Sequence, residues 1–469
     1  MTFGSRLLID GELVAGDYTL DVVNPATGEV FATVARASRR QAEAAIEAAK
    51  RAQPAWDALG WDARSDLLKA LADAVEERRQ DFIDTMVAEQ GKPRVEAAQE
   101  VDYSIAFIRH FAGLRLPEKD IRMQGGRVEL RHRPLGVVAG ISPWNFPLLI
   151  PAAKIAPALV TGNTMVMKPA PTTPILTLML GELAAAILPA GVLNVITDQN
   201  DLGDLLTSHP DIAKVTFTGS TATGRRIMAS AAPTLKRLTL ELGGNDAAIV
   251  LDDVDPKVAA RKVYDGAMLN AGQICVAVKR AYVPSSIYDE FCDEIAKLAN
   301  QAIVDDGSKQ GTTIGPIQNR MQFERVCELL ADAKKRGKVI AGGEPLDREG
   351  YFIPPTIVRD LPEDARLVRE EQFGPVLPVM RYDDVDDVIA RANNSEFGLG
   401  GTVWGKDVDR AIAIAKRVDT GTIWVNQHLA IDPTIPFRGA KQSGLGAELG
   451  EAGLNEYTQA HIVNAVELA

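Results

Sequence analysis

The sequence is poor in the residues that build disulfides and metal sites. Its 469 residues include three cysteines, Cys275, Cys292 and Cys327, none at Cys-x-x-Cys spacing. They cannot all pair with one another, which argues against a disulfide framework and favours the reducing cytoplasm. The five histidines also lack the spacing of metal ligands, so no metal site is expected; they are His110, His132, His209, His428 and His461.

The chain also lacks a long apolar run and an excess of positive charge. Its most apolar stretch, PLLIPAAKIAPALV at 147–160, is interrupted by Lys154 and prolines, and the N-terminal MTFGSRLLIDGEL has no apolar core. We therefore expect neither an export signal nor a membrane span. The formal net charge of -12 disfavours nucleic acid as a partner, because non-specific binding to it depends on clustered Lys and Arg.

What is present is the composition of an ordinary globular protein. Apolar residues make up 46% of the chain and charged residues 24%, the proportions of folded domains. The length corresponds to about three domain-sized units. Long disordered segments are not expected.

The first third of the chain reads as mostly helical after a short strand-rich opening. Ser38 and Gln41 form a possible capping box before the helix QAEAAIEAAKRAQ, which Pro54 should limit. A second helix is predicted over 67–90, with Gly91 as its stop, and a third over roughly 94–112.

From residue 135 onward, short apolar runs alternate with helical segments. LGVVAGI, TMVMK, VLNVI and KVTFTG are the apolar runs, and a second series begins at DAAIVLD, 246–252. This alternation is typical of βαβ units around a parallel sheet, so two α/β units are predicted.

Two isolated segments have strand character. In IRMQGGRVELRHR, 121–133, Gly125 and Gly126 could turn a hairpin, and the C-terminal HIVNAVELA has strand composition. Their isolation suggests edge elements that pair with another subunit.

The best phosphate-binding candidate is FTGSTATG, 217–224, because no exact G-x-G-x-x-G motif occurs. It follows a predicted strand and opens a helix that Ser220 could cap, so a pyrophosphate could approach the helix N-terminus. Taken alone, the segment could equally be a plain strand-to-helix turn. It is not a Walker loop, because Arg225 and Arg226 stand where Lys-Ser or Lys-Thr would be needed.

Two charged residues stand at the ends of predicted strands. Lys168 ends TMVMK at the edge where open α/β sheets bind ligands, although a surface lysine is the plainer interpretation. Glu241 precedes Gly243 and Gly244, residues that permit close backbone approach. An apolar flank could desolvate its carboxylate and favour a general base, whereas most glutamates are simply solvated.

An amide and a thiol complete the candidate set. Asn145 lies in PWNFP between two prolines and two aromatics, a rigid setting for an oxyanion donor, or equally for a structural turn. Cys275 follows a Gly-Gln pair in LNAGQICVAVKR, and a lone cysteine is usually a small buried hydrophobe.

Taken together, these segments resemble the NAD(P)-dependent aldehyde dehydrogenase superfamily over nearly the whole chain, in the expected order. The matching pieces are PWNFP, MVMKPA, FTGSTATG, LELGGND, GQICVAVKR, EEQFGPVLPV and PFRGAKQSGLG. Several motifs in the correct order and spacing would rarely arise by chance, so the plainer interpretations of the individual residues lose their weight.

The resemblance implies a role for each matching residue. Cys275 would be the nucleophile that forms a thiohemiacetal and then a thioester, Asn145 with the Cys275 backbone N–H the oxyanion hole, and Glu241 the base that activates water. NAD or NADP would be the cofactor. The implied cofactor-binding residues are Trp144, Lys168, Gly219, Ser220, Gly224, Glu371 and Phe373. A mainly apolar substrate tunnel would include Phe146, Leu149, Ile274, Val276 and part of NQHLAIDPTI, 426–435.

Two positions depart from the family pattern. Pro171 stands where an acidic residue often accepts bonds from the adenosine ribose, so one reason to exclude NADP is missing. Arg438 stands where glycine is common, and a cation there could favour an anionic semialdehyde, although an exposed arginine is the plainer interpretation.

The architecture implied is an α/β fold with two parallel-sheet domains, a Rossmann-like cofactor domain and a catalytic domain, plus a small β oligomerisation element. The expected boundaries are 1–114 and 135–242 for the NAD(P)-binding domain, 243–440 for the catalytic domain, and 115–134 and 456–469 for the oligomerisation element. A homodimer or homotetramer would follow.

Two other functions use the same fold. A coenzyme A-acylating aldehyde dehydrogenase would need the cysteine but not a water-activating carboxylate, so Glu241 argues against it. A non-catalytic binding protein would not need Cys275, Asn145 and Glu241 together. We therefore expect an enzyme that oxidises a small-molecule aldehyde to its acid.

Overall fold

A computed structural model describes residues 4–123 and 126–466 of the chain. Its first half contains β1 (Leu7–Ile9), β2 (Glu12–Val14), β3 (Tyr18–Asn24), β4 (Glu29–Arg36), α1 (Arg39–Ala58), α2 (Trp61–Glu77), α3 (Arg79–Glu89), α4 (Arg94–Gly113), β5 (Lys119–Met123), β6 (Gly126–Pro134), β7 (Val137–Ile141), α5 (Leu149–Val160), β8 (Thr164–Lys168), α6 (Ile175–Ala185), β9 (Leu193–Val195), α7 (Gly203–Ser208), β10 (Ile212–Thr218), α8 (Thr221–Ala231) and β11 (Arg237–Glu241).

The second half continues with the same alternation of strands and helices. It contains β12 (Asp246–Val250), α9 (Pro256–Met268), β13 (Val278–Pro284), α10 (Tyr288–Asn300), α11 (Arg320–Arg336), β14 (Lys338–Ala341), β15 (Thr356–Arg359), α12 (Arg366–Arg369), β16 (Val376–Tyr382), α13 (Val385–Asn393), β17 (Phe397–Gly398), β18 (Gly401–Trp404), α14 (Val408–Ala415), β19 (Trp424–Val425), β20 (Ala440–Lys441), β21 (Gly444–Leu445), α15 (Gly450–Asn455) and β22 (Thr458–Val466).

The first large sheet has the strand order β2-β1-β9-β8-β7-β10-β11-β21. Strands β7 to β11 run parallel to one another, while β1, β2 and β21 are antiparallel additions. Every residue of β7 and β8 is buried, as expected for a sheet covered on both faces. The predicted βαβ series from residue 135 is confirmed.

The second large sheet has the order β14-β15-β16-β13-β12-β18-β19 and is parallel except for β14. This sheet packs into an apolar core that is separate from the core of the first sheet. The prediction of a second α/β unit beginning at 246–252 is therefore confirmed, and with it the fold class.

Two helix predictions were wrong in their limits. The capping box is present, with the Ser38 hydroxyl accepting from Gln41 N at 3.3 Å, but α1 continues through Pro54 to Ala58. The last turn is held because Trp56 is buried and its indole N–H bonds the Leu159 carbonyl at 2.9 Å. The helix predicted over 67–90 is two helices, α2 and α3, separated at Arg78, where the backbone leaves helical geometry (ψ 16).

The two isolated segments form one small sheet of order β22-β6-β5. The hairpin of β5 and β6 is confirmed, with Gly126 opening β6, whereas Gly125 lies outside the described residues. The C-terminal strand begins earlier than predicted, at Thr458, and its last predicted residues, 467–469, are outside the described part. Pairing with another subunit and the domain boundaries stay predictions.

In the part of the chain that the structure describes, no helix has both the length and the apolar character to cross a bilayer.

Candidate active site

Cys275 follows a short turn whose backbone is unusual. Asn270 and Ala271 have φ values of 52° and 53°, and Gly272 follows with 71°, so three consecutive residues occupy the left-handed region. Only Gly adopts this conformation without cost. A Cβ on Gly272 would also lie 2.3 Å from the carbonyl oxygen of Gly374. The turn is therefore held in a strained shape by its surroundings, and it leaves Cys275 half-buried before β13.

A buried lysine lies beside the cysteine. The ammonium of Lys279 donates to the carbonyl oxygens of Ile274 at 2.7 Å and Cys275 at 2.6 Å, and lies 3.5 Å from Glu371 Oε1. Burial raises the pKa of the Cys275 thiol to about 12, while the charge of Lys279 lowers it and neighbouring carboxylates raise it. Lys279 is thus the cation that favours the thiolate.

Asn145 is tied to the same turn. Its side-chain Nδ2 donates to the backbone carbonyl oxygen of Gln273 at 2.9 Å, and its backbone carbonyl oxygen accepts from Lys92 Nζ and Asn270 Nδ2, both at 3.1 Å. An amide nitrogen carries two hydrogens, so one remains for a further acceptor. Within the described residues the backbone N–H of Cys275 has no acceptor. Two donors are therefore available at the turn that carries Cys275.

Glu241 ends β11 as a buried and unpartnered carboxyl group. Neither of its oxygens has a hydrogen-bond partner among residues 4–123 and 126–466. Burial raises its pKa well above the usual range and Glu448 raises it further, whereas Lys154 and Arg438 lower it. The group is close enough to raise the pKa of Cys275. The raised pKa makes the carboxylate form of Glu241 a stronger base, which is what proton abstraction from water requires.

A buried ion pair accompanies Glu241. The Lys154 ammonium pairs with the Glu448 carboxylate and also lies 3.1 Å from the Thr216 hydroxyl. The sequence prediction missed this pair, although one signal was visible: Lys154 is the charge that interrupts the most apolar stretch, and it is fully buried on α5. The pair sets the local charge that Glu241 experiences.

The predicted Ser220 cap of α8 is confirmed, and two glycines pack tightly near it. The Ser220 hydroxyl accepts from Thr223 N at 3.3 Å and so caps the helix. A Cβ on Gly219 would lie 2.5 Å from the Phe217 ring, and one on Gly224 2.7 Å from the Leu242 side chain. These glycines are needed for packing, and they leave the N-terminus of α8 open to an anion.

Polar groups line the carboxyl edge of the first sheet. Lys168 ends β8 and pairs with Asp198 at 2.7 Å, both buried. The buried hydroxyls of Ser142, after β7, and Thr218, at the end of β10, have no hydrogen-bond partner within the described residues. Such unsatisfied groups at this edge fit a polar ligand such as a dinucleotide. Asp198 was missed by the sequence prediction, although it stands two residues after the apolar run VLNVI, 192–196.

Three further predicted cofactor residues meet on the Cys275 side. Glu371 Oε1 accepts from Gly244 N at 3.1 Å, and a Cβ on Gly244 would lie 2.5 Å from the Cys275 carbonyl oxygen, so the predicted close approach is confirmed. The rings of Trp144 and Phe373 stand edge to face with centroids 5.2 Å apart. The predicted cofactor residues therefore form two groups, one at the sheet edge and one beside the thiol.

The predicted tunnel residues are brought together in part. Phe146, Ile274 and Val276 belong to one apolar cluster that also contains Cys275. Leu149 instead packs against the core of the first sheet. Leu429, from the predicted stretch 426–435, is also a member, whereas the sequence prediction missed Ala277, Leu399, Trp424 and Phe437.

Comparisons with known proteins show similarity over almost the whole chain. The sequence profile described as the aldehyde dehydrogenase family matches residues 14–463. An aldehyde dehydrogenase of Fusarium sp is 39% identical to this chain, and the match covers 97% of each of the two chains. The succinate-semialdehyde dehydrogenase [NADP(+)] of Escherichia coli is also 39% identical, again with 97% of each chain covered. The NAD+ complex of a Bacillus cereus aldehyde dehydrogenase superposes with a TM-score of 0.96 at 36% identity, covering 98% of this chain and 96% of the other.

Proposed function

Because this chain belongs to the aldehyde dehydrogenase family, and so oxidises an aldehyde to the carboxylic acid with NAD or NADP, we propose that Cys275, Asn145 and Glu241 perform the reaction. The observation that carries the proposal is the bond from Asn145 Nδ2 to the Gln273 carbonyl, 2.9 Å long. It holds the amide against the turn that presents the thiol.

In the first step, the Cys275 thiolate adds to the aldehyde carbon and the carbonyl oxygen becomes an oxyanion. The second Asn145 amide hydrogen and the Cys275 backbone N–H would stabilise it, each donor contributing on the order of 3 kcal/mol. The bound nicotinamide dinucleotide supplies the acceptor for the hydride that leaves the tetrahedral carbon. A thioester then remains on the Cys275 sulfur.

In the second step, Glu241 takes a proton from water, and the resulting hydroxide attacks the thioester carbon. The carboxylic acid leaves and the sulfur returns as the thiolate. The unpartnered oxygens of Glu241 support this role, because a carboxylate already engaged elsewhere could not accept the proton. The same carboxyl argues against acyl transfer to coenzyme A and against a purely binding role.

The dinucleotide would be held by the two groups of residues described above. Lys168 would bind the adenosine ribose and Glu371 the nicotinamide ribose, with Trp144 and Phe373 on the nicotinamide side. Gly219, Ser220 and Gly224 would flank the pyrophosphate at the N-terminus of α8. In this assignment, 1–114 and 135–242 form the cofactor domain and 243–440 the catalytic domain.

The apolar cluster around Cys275 favours an aliphatic or aromatic aldehyde. An anionic semialdehyde is the second candidate. It is supported by Arg438, whose charge is near enough to lower the pKa of Glu241, and by relatives named as succinate- and glutarate-semialdehyde dehydrogenases. Rates with both aldehyde classes, in wild type and Arg438→Gly, separate the two candidates.

The enzyme would be a cytoplasmic homodimer or homotetramer. Cys275, Cys292 and Cys327 are all free, which fits a reducing compartment. The sheet of β5, β6 and β22 has open edges, and Ile121, Ile462 and Val466 are exposed on it. Exposed apolar residues on an open sheet are typical of a subunit interface.

Two variants test the covalent mechanism. Cys275→Ala should abolish reduction of the cofactor, and Glu241→Gln should accumulate acyl-enzyme, detected by intact mass as the acyl mass on Cys275. Full turnover by Cys275→Ala would refute the mechanism. Hydrolysis of the acyl-enzyme at the wild-type rate by Glu241→Gln would assign the base to another group.

A further inference from the structure

The buried counter-ion of Lys168 is the carboxylate of Asp198. Asp198 Oδ1 lies 2.7 Å from the Lys168 ammonium, and Asp198 Oδ2 accepts from the backbone N–H of Leu202 at 3.0 Å. Lys168 is 3% exposed and Asp198 fully buried. A carboxylate is therefore fixed, by two bonds, beside the cation at the carboxyl end of β8.

This carboxylate stands at the edge where ligands of parallel sheets bind. Lys168 ends β8 and Asp198 follows the neighbouring strand β9, so the pair spans the ends of two adjacent parallel strands. Position 171, where an acid would be expected beside the ribose, is proline. Asp198 brings a negative charge to Lys168 from a different strand.

We propose that Asp198 makes the enzyme select NAD over NADP. The inference rests on the proposed function, in which Lys168 binds the adenosine ribose. A ligand oxygen bonded to the Lys168 ammonium would come within about 5 Å of the Asp198 carboxylate, because both hydrogen bonds from the nitrogen are about 2.8 Å long. A ribose hydroxyl can donate to that carboxylate. A 2′-phosphate, with about two negative charges, is repelled by it and must compete with it for Lys168.

Two arginines on neighbouring elements, Arg36 and Arg225, are already paired. Arg36 pairs with Asp201, three residues after Asp198, at 2.8 Å. Arg225, on α8, bonds Gln442 Oε1 at 3.2 Å and lies 3.5 Å from Glu396. Both arginines are already engaged by carboxylates, so neither of them is free to offset the negative charge of Asp198.

The test measures binding of two fragments that differ only in the 2′-phosphate, adenosine 5′-monophosphate and adenosine 2′,5′-bisphosphate, by titration calorimetry. Wild type should bind the monophosphate at least about tenfold more tightly. Asp198→Asn should reduce this ratio by at least about tenfold, mainly through tighter binding of the bisphosphate. Asp211→Asn, which removes an exposed carboxylate paired with Lys50, should leave the ratio unchanged.

The inference would be overturned if wild type bound the bisphosphate as tightly as the monophosphate or more tightly. It would also be overturned if wild type bound neither fragment. An unchanged ratio in folded Asp198→Asn would overturn it as well. If that variant does not fold, the wild-type ratio still tests the inference, because equal or tighter binding of the bisphosphate would overturn it. Oxidation of aldehyde is assayed separately with NAD and NADP, so loss of selectivity and failure of the proposed reaction are distinct results.

Discussion

The Lys279 ammonium donates a 2.6 Å hydrogen bond to the carbonyl oxygen of Cys275. It also lies 3.5 Å from the Glu371 carboxylate, so one buried cation joins the nucleophile's backbone to a residue proposed to hold the cofactor. Because Lys279 is four residues after Cys275, one short segment determines the positions of both the cation and the thiol. The charge balance around the thiol therefore depends on Lys279.

Replacing Lys279 by methionine should make the thiol less reactive. The substitution keeps most of the side-chain volume but removes the charge that lowers the pKa of Cys275, which burial has already raised to about 12. A further rise of one pKa unit reduces the thiolate about tenfold, so alkylation by iodoacetamide at pH 8.5 should slow by that factor or more. The rate is followed on the Cys275 peptide by mass spectrometry.

The control for this experiment is Lys69→Met, because Lys69 is exposed and its ion pair with Asp66 is at the surface. It should be alkylated at the wild-type rate. A folded Lys279→Met protein, checked by its melting temperature, that reacts as fast as wild type would show that Lys279 does not stabilise the thiolate.

Substitutions at Lys154 and Glu448 should shift the pH dependence of deacylation in opposite directions. Lys154 lowers the pKa of Glu241 and Glu448 raises it. Lys154→Met should therefore move the acid limb to higher pH, and Glu448→Gln should move it to lower pH. Hydrolysis of preformed acyl-enzyme, followed by intact mass between pH 5 and 10, measures both.

Lys154→Arg keeps the positive charge and serves as the matched control, with a profile close to wild type. Shifts of the same sign in both charge-removing variants would mean that the pair acts through packing rather than through its charge on Glu241.

The helices and strands that local sequence signals predicted correctly are those that contacts between nearby residues determine. Ser38 and Gln41 cap α1 through contacts three residues apart, and the apolar runs of β7 to β10 need only burial and turns. The break at Arg78 has no glycine or proline to mark it. The continuation of α1 past Pro54 depends on Trp56 reaching the Leu159 carbonyl, 103 residues away.

The candidate site divides in the same way. Asn145, Glu241 and Cys275 each lie in a short recognisable segment, and their roles stay predictions that the geometry supports. Their charged partners could not be predicted, because the partners come together only in the fold: Lys154 and Glu448 are 294 residues apart in the sequence. Whether a lysine is buried, as Lys279 is, depends on packing that no single segment reveals.

Asp246 should make the protein less stable as the pH rises. Its Oδ1 accepts from Gly400 N at 3.1 Å, its Oδ2 has no partner within the described residues, and burial raises its pKa from 3.8 to about 7. The neutral carboxyl therefore favours the folded state, a contribution that is complete below pH 3.8 and is lost as the pH rises through 7.

Asparagine at position 246 stays neutral, so the advantage of wild type over Asp246→Asn should fall by about 1.4 kcal/mol per pH unit up to pH 7. Melting temperatures of the two proteins at pH 5, 6, 7 and 8 measure the change. Asp66→Asn, an exposed carboxylate, is the control and should show a constant difference. A constant difference for Asp246→Asn as well would mean that Asp246 is already ionised throughout this range.

A charge on one face of the small sheet should separate the subunits. Across β22 and β6, Ile462 pairs with Leu130 and Asn464 pairs with Val128; across β6 and β5, Val128 pairs with Ile121. The apolar residues on this one face are therefore Ile121, Val128, Leu130, Ile462 and Val466. Ile462 is 63% exposed in the single chain, so contact with a second subunit would be needed to bury it. Ile462→Lys would place an ammonium in that interface at a large desolvation cost, and light scattering should then give the monomer mass.

Gln459→Lys adds the same charge to the opposite face of β22 and should keep the wild-type mass. If wild type itself is a monomer, or Ile462→Lys assembles as wild type does, this face is not the contact between subunits.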